Sequence, residues 1–515
     1  MHKLTKISDW LLISFFIILI SIPCIGIFVE REAHEIRTTL NREPYQFPPI
    51  SIKRIGRTDF KAIENWFGDK ALFITSLSKF WANTNYKLGV SIKPGQAIIG
   101  KRGWLFLGND YNATIDQYTG KNVPTNKEIF WRLNTLKHMQ QIATRNNIPF
   151  LVVIAPDKQD IYPEYLPSNI LRGERRNRLD FLEEGMSAHG IDFISLRPTE
   201  LEAKNTLGKQ YGDLYLKGDS HWNYLGAYVA YQAIADYLQQ KGIATANLKF
   251  NFLPGKVKVT DLTTFLQLTD VESNSPTPDI AGLSIDMLGI DEAGTRRKLN
   301  TFEGIANDII LNGPYQSINQ ALPNKQTCLL ISDSFSTYLG FYFHNDFQNT
   351  VQIHHDNTTH KLSDLINKYH PNIIVYESVE RALSHKTKVH FDAEPIKLKL
   401  PAKRFPVNGG IDKLQISQDK IIAKGWAYLV DKDAANSEIY LKFSNGTQSY
   451  LFSVNPALRP DILLSFKNGE HLNLTGFNST ILRKDIPKGE YTVSLIVLNI
   501  NRAGEIAFSE KYQLA

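Results

Sequence analysis

The sequence predicts an α/β fold built on a mostly parallel sheet, and three observations predict it. Residues 149–155 (PFLVVIA) form an unbroken apolar run between prolines, the pattern of a strand buried on both faces. Short apolar runs return at 328–331 and 372–376, and 191–196 is strand-like. Between them lie helical patterns. In 127–147 Ile129, Leu133, Leu136, Met139 and Ile142 share one face, and 179–186 is also helix-like. Helices alternating with fully apolar strands call for a sheet covered on both sides.

With 515 residues the chain has room for two or three domains. Its 43% hydrophobic and 21% charged residues are ordinary values for a folded chain. The net charge is +6 and the Lys and Arg residues are scattered, so nucleic acid is not an expected partner. A basic groove for an anionic polymer stays open. The two cysteines, Cys24 and Cys328, sit in unrelated contexts and make no disulfide framework. Cys328, inside an apolar run, reads as a small core residue.

Residues 10–29 are twenty in a row without a charge, about the ~20 that span a bilayer as a helix. Lys3 and Lys6 precede them, which keeps the N-terminus cytoplasmic and puts the rest of the chain outside. A cleaved signal peptide is the alternative, against which the run exceeds the usual ~7–15-residue apolar region. Residues 1–29 are therefore read as a membrane anchor. Residues 30–94 form a Pro-containing spacer and a helical lead-in with Phe60, Ile63, Trp66, Phe67, Leu72 and Phe73, expected to pack on the next domain. The α/β domain is assigned to 95–400, opening with a tight turn and buried strand at 100–108. Within it, 245–325 is irregular and reads as an insertion of unassigned structure. A linker is placed at 401–410. In 411–515 strand-like runs at 420–428, 439–443, 450–454 and 491–498, separated by Asn-Gly and Lys-Gly turns, predict a β-sandwich.

The chemistry concentrates in two stretches. Gly218-Asp219-Ser220-His221-Trp222-Asn223 precedes a helical pattern of Leu225, Val229, Ala233 and Tyr237, with Gly242 as its stop. An Asp two residues from a His can hold one ring nitrogen and leave the other facing outward as a base. Taken alone, the pair is equally a structural contact or a pair of metal ligands. Ser334 lies 113 residues beyond His221, at the junction of an apolar strand and a helix-like segment. Alone it reads as a helix cap. Together the three form a hydrolase-type triad, with the first N–H groups of the helix available to an oxyanion. His354-His355-Asp356 lacks a third ligand at zinc-type spacing, so neither a metal nor a cofactor is called for.

Gly103-Trp104-Leu105-Phe106-Leu107-Gly108, Lys158 with Ile161-Tyr162-Pro163-Glu164, Asp219-Ser220-His221-Trp222, Ser332-Asp333-Ser334-Phe335-Ser336, and Val375-Tyr376-Glu377 with Glu380-Arg381 resemble the periplasmic alginate O-acetyltransferases of the AlgJ and AlgX group. The resemblance covers roughly 95–385 and implies an SGNH-hydrolase-like catalytic domain. By it Ser334 is the acetyl-accepting nucleophile, His221 the base and Asp219 its orienter. It also implies acetyl transfer onto an exported polysaccharide and a membrane-bound O-acyltransferase as donor partner. Joined to the anchor read from residues 10–29, it puts the catalytic domain on the periplasmic side of the inner membrane. Lys158, Trp222, Tyr376, Glu377 and Arg381 are candidate substrate contacts, although a solvent-exposed salt bridge explains Glu380 and Arg381 equally well. Trp426 is a candidate sugar-stacking ring in the C-terminal module, where filling the core is the competing role. An esterase using the same triad and a non-catalytic polysaccharide-binding assembly factor are the alternative functions.

Overall fold

The computed structural model describes residues 10–18, 21, 45–49, 56–70, 74–173, 176–283, 285–299, 301, 314–355, 362–383, 395–396, 404–432, 434, 437–467, 471–499 and 502–514. After two helices, α1 (Arg57–Lys70) and α2 (Ile74–Lys87), an antiparallel hairpin pairs β1 (Ala97–Ile99) with β2 (Leu105–Leu107). Then come α3 (Asn126–Arg145), β3 (Phe150–Ala155), α4 (Arg178–Ala188), β4 (Phe193–Ser195) and α5 (Tyr224–Gln240). Two small antiparallel ribbons follow, β5 (Phe252–Leu253) with β8 (Thr277–Pro278) and β6 (Lys256–Val257) with β7 (Ser273–Asn274). The domain continues through β9 (Met287–Ile290), β10 (Arg296–Leu299), β11 (Tyr315–Asn319), β12 (Thr327–Ser332), α6 (Ser336–Asp346), β13 (Asn349–His354) and β14 (Ile373–Val379).

Eight of these strands form one mixed sheet in the order β10-β9-β11-β13-β12-β14-β3-β4. From β13 to β4 every neighbouring pair is parallel. The antiparallel part, β10, β9 and β11, comes from the 245–325 stretch and corrects the expectation of a mostly parallel sheet. In β3, Leu151, Val153 and Ala155 pack with α5 and α6 on one face, while Phe150, Val152 and Ile154 pack with α3 and α4 on the other. That alternation, in a strand buried at all six positions, is why the run is apolar without a break. Thr125 and Glu128 form a capping box at the start of α3. Asn223 caps α5 by accepting from the Leu225 and Gly226 N–H groups, and Gly242 beyond its end adopts φ +75°, which suits a glycine.

The lead-in packs differently from expectation. Phe60 on α1 is exposed, and it is Ala82 and Tyr86 of α2 that join the small core of Ile99, Leu105, Leu107 and Leu262. Leu72 and Phe73 lie outside the described residues. Most of the expected anchor does too. Residues 10–18 are helical and exposed, and no helix among the described residues is long and apolar enough to cross a membrane.

The C-terminal strands form two antiparallel sheets with one shared core that includes Ile421, Leu441, Phe443, Phe477 and Leu495. One sheet holds β15 (Pro395–Ile396), β19 (Ser449–Ser453), β18 (Ser437–Ser444), β22 (Gly489–Asn499) and β23 (Arg502–Leu514). The other holds β16 (Val407–Ile416), β17 (Lys420–Leu429), β21 (Gly476–Leu482) and β20 (Pro456–Ala457). The first long strand therefore begins inside the stretch read as a linker. Arg145 of α3 donates to the Tyr440 hydroxyl at 2.7 Å and ties this module to the α/β domain.

Candidate active site

The strongest candidate site gathers at the carboxyl ends of β3, β12 and β14, where open α/β sheets place their ligands. β12 delivers Asp333-Ser334-Phe335 to the start of α6. Asp333 folds this loop: one carboxylate oxygen accepts the Phe335 N–H at 2.9 Å, the other the Val379 N–H at 2.8 Å, and its carbonyl accepts the Ser336 N–H at 3.2 Å. Glu377 of β14 lies below, accepting from the Asp333 N–H at 3.2 Å and the Ser336 hydroxyl at 2.9 Å. Burial, and then the neighbouring Asp333, push the Glu377 carboxyl well above the ordinary carboxylate value. The expected oxyanion donors at the helix start need correction: the Phe335 and Ser336 N–H groups are taken by Asp333. The N–H of Ser334 has no acceptor among the described residues and is the donor this loop leaves free.

Asp219 and His221 sit on a tight loop in which the Leu216 and Asp219 N–H groups donate to the His221 and Leu216 carbonyls. Lys158, directly after β3, lies beneath it. Its Nζ donates to the carbonyls of Leu216 at 3.1 Å, Lys217 at 3.3 Å and Asp219. Burial brings this ammonium down to about 7. One Asp219 oxygen is 2.6 Å from His221 Nδ1 and also accepts the His221 N–H at 3.0 Å. His221 Nε2 is 2.7 Å from Ser334 Oγ. With Nδ1–H donating to the carboxylate, Nε2 is left to accept the serine proton. Burial pushes the imidazole down, but the Asp219 charge and hydrogen bond more than offset this and raise it overall. Burial likewise pushes Asp219 up, and its bonds to His221 bring it below the usual carboxylate range. One residue beyond each partner, the Trp222 indole N–H donates to the Phe335 carbonyl at 2.8 Å.

Asp219, His221 and Ser334 thus come together. Lys158, Trp222 and Glu377 surround them but are sealed from solvent, at 2%, 0% and 0% exposure. They hold backbone and loop atoms, which corrects the expectation that they touch substrate. Arg381 is buried, ion-paired with Asp157 and placed over the Phe335 ring at 5.3 Å. Glu380 pairs with Arg197 at 2.9 Å and accepts the Asp157 N–H at 3.0 Å, so neither residue forms the exposed salt bridge considered above. Tyr376 points into the opposite face of the sheet, its hydroxyl accepting from Arg132 at 3.2 Å. Trp426 packs against Phe466 at 5.1 Å within the C-terminal module. Sequence reasoning missed Asp261, which the insertion brings to the Nδ1 side of His221 at 3.7 Å. Asp219, His221 and Asp261 offer ligand atoms within 4.8 Å of one another. A cation there would compete for the nitrogen that the Asp219–His221 bond needs protonated.

Residues 97–285 match the family model described as the SGNH hydrolase-like domain of the acetyltransferase AlgX. Among curated proteins, a probable alginate O-acetylase AlgJ of Pseudomonas syringae pv. tomato is 25% identical over 224 residues, 42% of this chain and 54% of the relative. The AlgJ of Pseudomonas putida is 27% identical over 209 residues, 39% of this chain and 49% of the relative. The chain spans about half the length of these curated relatives. Among solved structures, Bacillus cereus PatB1 aligns with TM-score 0.40 and 16% identity over 57% of this chain and 98% of its own.

Proposed function

Taking as premise that residues 97–285 carry an AlgX-type SGNH hydrolase-like domain, we propose that this protein is an O-acetyltransferase acting on an exported, alginate-like polysaccharide. The observation that carries the reading is the continuous relay of 2.6 Å and 2.7 Å from Asp219 through His221 to Ser334 Oγ. His221 Nε2 takes the hydroxyl proton as Oγ attacks the donor's acyl carbon. The donor's leaving group departs with that proton and an acetyl-serine remains. A sugar hydroxyl then attacks the acyl carbon, passes its proton to Nε2, and Ser334 is released with its proton restored. The developing oxyanion has the Ser334 N–H within the same loop. One such donor is worth roughly 3–4 kcal/mol of barrier.

In this proposal residues 10–29 are a single-pass inner-membrane anchor, the catalytic domain is periplasmic, and a membrane-bound O-acyltransferase supplies the acetyl group. The test is incubation of the chain with an acetyl-ester donor and polyuronate oligosaccharides. Acetylated sugar and a mass-shifted Ser334 peptide, both lost in Ser334→Ala, are the expected result. Acetate alone would make the protein an esterase. Normal polymer acetylation with Ser334→Ala, abolished instead by deleting 411–515, would make it a binding factor.

A further inference from the structure

Resting on that reading of the site, we propose that Asp261 is a positioning residue of the Asp219–His221–Ser334 relay. It clamps the loop that bears the acid and base and adds a second negative charge on the Nδ1 side of the imidazole. Asp261 begins a short helix, Asp261–Phe265, in the stretch that resisted sequence interpretation. The same stretch grips Gly218, the residue before Asp219. The Thr263 N–H and the Thr260 hydroxyl donate to the Gly218 carbonyl, the former at 3.2 Å, and the Gly218 N–H donates to the Ser273 hydroxyl at 2.9 Å. A Cβ at residue 218 would stand 2.8 Å from Thr263 Cγ2, so the approach needs a glycine.

Asp261 then reaches the relay with three groups. Its N–H donates at 3.2 Å to the Asp219 oxygen that does not face the imidazole, which fixes the carboxylate's rotation. One of its own carboxylate oxygens accepts the Ser220 N–H at 2.9 Å. The other accepts the Ser220 hydroxyl and lies 3.7 Å from His221 Nδ1. Holding two carboxylates beside one imidazole is unfavourable unless the imidazole gains positive charge, which it does each time it takes the serine proton. Burial and the Asp219 charge move the Asp261 carboxyl up to about 6. The charged and titratable groups facing it are Asp219, His221, Lys158, Arg381, Tyr111 and Tyr338. Of these, Asp219 and His221 touch its bonded network directly.

The experiment measures phenylmethylsulfonyl fluoride labelling of Ser334 by mass spectrometry from pH 5 to 9, in the full-length chain and in Asp261→Asn. Asn keeps an oxygen for Ser220 and removes the charge. The expected result is a variant with unchanged far-ultraviolet circular dichroism, labelling about 3–10-fold more slowly at high pH, with its pH midpoint moved to lower pH. An unchanged midpoint and rate, with wild-type Ser334 labelled normally, overturns the inference and leaves the functional reading intact. Absence of labelling in the wild type overturns both. Should Asp261→Asn fail to fold, Ser220→Ala removes the hydroxyl that Asp261 accepts while keeping the charge, the Ser220 N–H bond and the Asp261 N–H on Asp219. The less compensated carboxylate is expected to move the midpoint to higher pH there, and an unchanged profile again overturns the inference.

Discussion

Trp222→Phe tests how the two halves of the site are held together. His221 and Ser334 meet at 2.7 Å, and the next residue on each side, Trp222 and Phe335, meets through an indole hydrogen bond at 2.8 Å. The two rings also touch edge to face at 5.0 Å. Both side chains are fully buried. Among the described residues, the Phe335 carbonyl otherwise receives only the long helical N–H groups of Tyr338 at 3.4 Å and Leu339 at 3.5 Å. Losing the indole donor therefore leaves it poorly satisfied, at a cost near 1 kcal/mol. The smaller ring leaves a partial void that costs a further ~1–2 kcal/mol. The expected loss is about 2–3 kcal/mol in urea unfolding. Sulfonyl labelling of Ser334 should slow by roughly 10–100-fold, since a shift near 1 Å in a reacting pair can cost that much. The same destabilisation with labelling at the wild-type rate would refute the staple. A raised KM for sugar with labelling unchanged would return Trp222 to the role of a substrate contact.

Labelling of wild-type Ser334 should fall as the pH drops through a midpoint above 6.5, the ordinary imidazole value, because the raised His221 keeps its proton to higher pH. A midpoint below that value contradicts the geometry. Glu377→Gln should match wild type near pH 4 and be the more stable of the two at pH 8. A carboxyl raised in the fold contributes stability that is present below its unfolded pKa and is lost as the pH rises, and Gln escapes that loss. Urea unfolding at several pH values checks this. Arg381→Met should cost about 3–5 kcal/mol by stranding the buried Asp157 charge, and Asp157→Asn added to it should recover at least half of the loss.

Much of the scaffold could be read from periodicity. Leu133, Leu136, Met139 and Ile142 are all buried on α3, and 149–155 contains β3, buried along its whole length. These patterns are local consequences of burial and need no knowledge of partners. The three antiparallel strands of the sheet were not legible. β9 has buried Met287 and Gly289 between half-buried Leu288 and Ile290, and β10 is mostly exposed Arg and Lys, so neither carries a run that stands out from a loop. The inward placement of Lys158, Glu377 and Arg381 was not legible for a related reason. A Lys, a Glu or an Arg reads as surface chemistry until the fold supplies buried partners, as the three carbonyls do for Lys158 and Asp157 does for Arg381.

The sequence by itself determined the residue types able to do acyl chemistry, their order along the chain and the strand-to-helix junction that presents Ser334. It could do so because each depends on neighbours within a few positions. Only the tertiary structure decided that His221 and Ser334, 113 residues apart, share a hydrogen bond. It alone decided that Lys158 and Trp222 face inward and that Asp261 arrives from an unpatterned insertion. The physical reason is that hydrogen bonds and ion pairs between distant segments impose no periodicity on either one, so nothing in the order of residues announces them.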